Sequence, residues 1–77
     1  MNVIKRSFQI GNHDGLLVEL HEHRQRIAVA ELMLPADDDD IRDCIESLRA
    51  QAQRHGIRIN GMKSEALFQS IEMGAVQ

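Results

Sequence analysis

The sequence predicts an α+β domain: a small, mainly antiparallel sheet of three to four strands in the order β-β-β-α-β-α, with one long amphipathic helix packed on one face. Two observations carry this. Up to Leu34 the apolar residues tend to alternate, whereas beyond Pro35-Ala36-Asp37-Asp38-Asp39-Asp40 the residues Ile41, Cys44, Ile45, Leu48 and Ala52 recur at steps of three and four. The turn-rich Gly11-Asn12-His13-Asp14-Gly15 and the wholly polar His21-Glu22-His23-Arg24-Gln25-Arg26 then divide the alternating part into three.

The first strand covers residues 2 to 10, with Ile4, Phe8 and Ile10 on one side and Arg6 as the exception. Two glycines after it can take the positive φ values of a hairpin loop. Leu16, Val18 and Leu20 continue the alternation in a second strand, and a third runs from about Ile27 to Leu34. The rival reading draws Leu16 to Leu34 as one helix. Six consecutive polar residues would interrupt the buried stripe of such a helix for more than a turn and a half, so two strands are preferred.

The long helix is expected from about Asp38 to His55. The aspartates supply an N-cap and favourable charges for the helix dipole, Arg54 and His55 occupy its last turn, and Gly56 offers the left-handed position after it. Gly56 to Gly61 then reads as a short strand ending in a turn. Ser64 is expected to cap a final helix presenting Leu67, Phe68 and Ile71 and ending at Gly74. The alternative is a further strand after the hairpin signal Asn60-Gly61.

Seventy-seven residues are expected to form one domain, 1–77, with a core small enough that self-association would help it. The chain has no Trp or Tyr and two Phe, so it lacks stacking platforms for bases and large interface anchors. Ile27 to Leu34 is too short for a membrane span, and Met1-Asn2-Val3-Ile4-Lys5-Arg6 is followed by no apolar signal region. With a single cysteine, these features predict a cytoplasmic protein without contact with a membrane.

Charge is unevenly spread. Residues 1 to 36 cancel, residues 37 to 46 carry a net −5, and residues 47 to 63 carry +4, within a total of −3. Good helix design explains this arrangement first. Its functional reading is an acidic corner, Asp37, Asp38, Asp39 and Asp40, that docks on a basic partner surface, with Arg49, Arg54 and Arg58 as a second contact region.

Other chemistries find less support. Counted from Asp37, a calcium loop would need glycine where Arg42 stands and glutamate where Leu48 stands. His21 and His23, with Glu19, would share one side of a strand as metal ligands can, but solvated hairpin residues are the simpler account. Cys44 falls on the apolar stripe, and no serine lies in a nucleophile frame, so no enzyme and no cofactor are expected. Nucleic-acid binding by the sheet and Arg24, Arg26, Arg49, Arg54, Arg58 and Lys63 is the main competitor, opposed by a pI near 5.7. The reading that follows is a non-enzymatic regulatory protein, an inhibitor or adaptor acting through protein contacts. Self-association would cover the sheet edges. Size and style suggest a bacterial or phage-encoded protein, by association alone.

Overall fold

A computed structural model describes residues 1–75, so the last two residues of the expected domain lie outside the described part. Three strands, β1 (Asn2–Ile10), β2 (His13–Glu22) and β3 (Gln25–Met33), form an antiparallel meander in the order β1-β2-β3. Two helices follow, α1 (Asp38–Gln53) and α2 (Gly61–Ala75). The polar stretch after Leu20 is a hairpin: His23 and Arg24 form its two-residue loop and both take positive φ, 53° and 64°. In the first hairpin the loop is Gly11-Asn12, with Gly11 at φ 59°.

Three expectations need correction. The sheet has three strands among the described residues, because Gly56 to Gly61 adds none. Gly56 takes φ 74°, its N–H reaches the Gln53 carbonyl at 3.0 Å and the Ile57 N–H reaches the Ala52 carbonyl at 3.1 Å. These are the paired bonds of a Schellman turn, and they hold the chain against the end of α1 instead of beside a sheet edge. Ile59 is buried and Ile57 half-buried in the core without a ladder. Asn60, read as a turn residue, caps α2 by accepting from the Lys63 N–H at 3.0 Å; Ser64, the expected cap, sits one turn inside, and Gly74 lies within the helix. Finally, α1 is not the one long helix, since it has 16 residues and α2 has 15.

Both helices cover one face of the sheet. Leu16, Val18 and Leu20 from β2 and Ala28 and Leu32 from β3 pack with Ile41, Ile45 and Leu48 of α1 and with Leu67, Phe68 and Ile71 of α2. A register shift between Leu20 and His21 makes Ile27 an extra residue, and both Ile27 and Ala28 enter the core.

β1 is turned the other way. The two-residue loop pairs Val3 with Leu20, Lys5 with Val18 and Ser7 with Leu16, so these residues of β1 face the helices: Val3 packs against the core, and Lys5 Nζ donates to the Ser70 carbonyl at 2.7 Å. Its apolar side, Ile4, Phe8 and Ile10, lies opposite Glu19, Gly15 and His13 on the face without helices. The alternating residues of β1 and of β2 singled out in the sequence therefore belong to opposite faces.

Candidate functional site

Two surfaces of the fold have the character of binding sites. The first is a groove of about 500 Å³ between the end of β3 and the first half of α1, bordered by Glu31, Met33, Pro35, Asp40, Asp43 and Ser47. β3 is an edge strand. At Val29 its outward backbone is closed by Gln51, whose Oε1 accepts from the Val29 N–H at 3.1 Å and whose Nε2 donates to the Val29 carbonyl at 2.8 Å. Alternation puts the backbone groups of Glu31 and Met33 on the same outward edge, beside the groove. Among the described residues no side chain closes them as Gln51 closes Val29.

The acidic run divides on inspection. Asp37 and Asp40 form a capping box: Asp37 Oδ1 accepts from the Asp40 N–H at 2.9 Å, and Asp40 Oδ2 accepts from the Asp37 N–H at 3.2 Å. Asp38 and Asp39 are exposed on the first turn. Asp40 also borders the groove, joined there by Asp43, which sequence reasoning did not single out. The signal was present, since Asp40, Asp43 and Ser47 follow one another at helical steps of three and four.

The arginines are not brought into one site with the aspartates. Arg49 Nη1 donates to Glu46 at 2.9 Å and its Nη2 to the Ser64 hydroxyl, so its role is to tie α1 to α2. Arg42 lies over the Phe68 ring, 4.8 Å from its centre, and does the same. Arg49 and Arg58 do meet at a smaller depression of about 220 Å³, bordered also by Gln53, Ile57 and Ile59, while Arg54 is exposed at the end of α1. His23 leaves the strand for the hairpin loop, where its side chain is 92% exposed, so the trio with His21 and Glu19 does not form. Among the described residues no group of three or more His, Cys, Asp or Glu side chains is placed to hold a metal ion. Cys44 is buried, and desolvation raises its thiol pKa, which leaves it a weak nucleophile.

The second surface is the sheet face away from the helices. Ile4, Phe8, Leu17 and Val29 are half-buried there without packing against the core, and Ile10 and Met33 are 61% and 44% exposed. At one end Glu19, only 7% exposed, accepts from His21 Nε2 at 2.9 Å and pairs with Arg26 at 3.7 Å. The His21 hydrogen bond is the main cause that lowers the Glu19 pKa; burial opposes it, and the charges of Arg6 and Arg26 add to it.

Among the described residues no helix is long and apolar enough to cross a membrane. No family model matches the chain, and neither a curated protein nor a solved structure is significantly similar to it.

Proposed function

We propose that this chain is a non-enzymatic binding protein, an inhibitor or adaptor of the cytosol, that receives an extended basic segment of a protein partner along the outer edge of β3. The observation that carries the reading is the acidic groove lying directly beside unpaired strand backbone. Strand addition draws affinity from main-chain hydrogen bonds and specificity from the pockets flanking alternate side chains. Glu31 and Met33 would supply the former, and Asp40 and Asp43, with the exposed Asp38 and Asp39 nearby in sequence, would favour lysine or arginine in the incoming strand. A groove of about 500 Å³ is within the range of ligand sites, and this one is open enough to admit a peptide.

The test is a titration of the isotope-labelled protein with a short peptide of alternating lysine and valine, followed by amide chemical shifts. Shifts confined to Ala30 to Met33 and to Asp40 to Ser47, weakened by added salt and by Asp43→Asn, support the reading. Asp43 is the residue to replace because Asp40 is committed to the capping box. Absence of shifts at the β3 edge contradicts it. So does salt-sensitive binding to duplex nucleic acid that disappears when Arg24, Arg26, Arg54 and Arg58 are replaced, which would put the basic groups at the working surface.

A further inference from the structure

The open sheet face poses a separate question, because apolar side chains on a strand are placed by its register and β1 places them away from its own helices. Ile4, Phe8, Leu17 and Val29, half-buried there with Arg6 and Glu31 among them, form a mixed apolar and charged face on which no element of the described chain packs, and such a face suits a partner that matches both. We infer that the partner is a second copy of this chain, the two sheets packing face to face about a twofold axis parallel to β2.

The pattern of the rows selects both the occupant and the axis. Across the face Arg6, Leu17 and Glu31 form one row, and Ile4, Glu19 and Val29 another. The next is Phe8, Gly15 and Met33. Each row has a different residue on β1 and on β3 with β2 between them. A twofold axis above β2 and parallel to it lays β1 of one copy over β3 of the other. Arg6 then meets the second copy's Glu31, twice by symmetry, and Leu17 meets Leu17 on the axis. Ile4 meets Val29 and Phe8 meets Met33. An axis across the strands would stack Arg6 on Arg6, and like charges in apposition oppose that arrangement. Among the described residues no carboxylate lies within ion-pair distance of Arg6 and no cation within that distance of Glu31, although the Arg6 charge acts on Glu19 from farther off. Glu19 falls near its own mate, each carboxylate being paired within its own protomer with Arg26 at 3.7 Å and hydrogen-bonded to His21 at 2.9 Å.

Size agrees with a modest dimer. Three strands of about nine residues span about 430 Å² in plan, so two faces with their side-chain relief bury about 1,000 Å², the lower limit of specific interfaces. Aligned sheets pack at about −30°, a rotation that leaves the central row in register. The gain is in burying Leu17, Phe8 and Ile4, with the paired charges setting the alignment. The two surfaces meet at Glu31 and Met33, whose side chains take part in the dimer contact while their outward backbone borders the groove, and Asp40, Asp43 and Ser47 lie outside the dimer contact.

Sedimentation velocity with the charges exchanged tests the arrangement. At about 100 µM the wild-type chain should sediment as a dimer, whereas Arg6→Glu and Glu31→Arg should each weaken self-association at least about tenfold. Mixing these two variants should restore a dimer, since every contact of residue 6 with residue 31 is then Glu with Arg. Leu17→Asp, on the axis, should be monomeric with unchanged circular dichroism. A monomeric wild type at that concentration overturns the inference. So does undiminished self-association of either charge variant, or failure of the mixture to associate when both components melt as folded proteins.

Discussion

Gly15 lacks a side chain at a point in the sheet where a side chain has no room. Its cross-strand partner Phe8 lies over it, and a Cβ built there would stand 2.2 Å from the ring Cζ. The ring thereby lies low on the open face and covers backbone that would otherwise be bare, the same device by which aromatics rescue strand glycines. Gly15→Ala should push the ring outward and cost about 1 kcal/mol or less, because the clash is with the far end of a half-buried side chain on an open face. Chemical denaturation measures the loss, and Phe8→Ala combined with Gly15→Ala should recover part of it. Glu19 is the other residue whose state depends on its neighbours. Its pKa is lowered in the folded chain, so its contribution to stability is fully present above the ordinary value of 4.5 and disappears as the pH falls through the lower folded value. Glu19→Gln should therefore melt below the wild type near neutral pH, with the gap closing in acid. A gap that stays constant from neutrality to strong acid would show that the carboxylate charge is not what matters there.

At the scale of elements, the β2–β3 hairpin turns through two left-handed residues that are neither glycine nor asparagine, His23 and Arg24. Loops of this kind strongly prefer Asn-Gly, and a left-handed residue with a Cβ costs roughly 1–2 kcal/mol. His23→Asn with Arg24→Gly should raise stability by about 1 kcal/mol, read as a shift of the thermal midpoint; an unchanged midpoint would mean that the native turn is not strained. Those same two residues explain why the hairpin was hard to read from sequence. Its turn signal is absent, and only the loss of helical periodicity across six polar residues favoured strands. α1 was the opposite case, because its cap, its stripe and Gly56 all agree, and the helix begins where the aspartates place it. The expected strand at Gly56 to Gly61 failed because alternating Ile57 and Ile59 satisfy a strand pattern equally well when they are buried by a linker between helices. Asn60-Gly61 is ambiguous in the same way, since asparagine caps helices as readily as it forms turns.

For the molecule as a whole, the decisive feature was which way β1 faces, and it depends on the length of one loop. With Gly11 and Asn12 alone between the strands, Ile10 opposes His13, and every even residue of β1 faces an odd residue of β2. One more residue in the loop would bring Phe8 opposite Leu16 and Ile4 opposite Leu20, joining the two apolar patterns on the helix side. The sequence contains this information, but alternation within each strand does not reveal it; only the pairing between them does. The acidic groove was legible in part for a similar reason. Asp40 belongs to a visible charge run, whereas the outward edge of Glu31 and Met33 beside it exists only once the strand order is known. The outward side of β1 underlies the inferred dimer, and with the strand order it defines which surfaces are left to bind partners. Cross-strand nuclear Overhauser contacts in β1 and β2 test it most directly. The account predicts contacts of Lys5 with Val18 and of Ser7 with Leu16, whereas contacts of Ile4 with Leu20 and of Phe8 with Leu16 would contradict it.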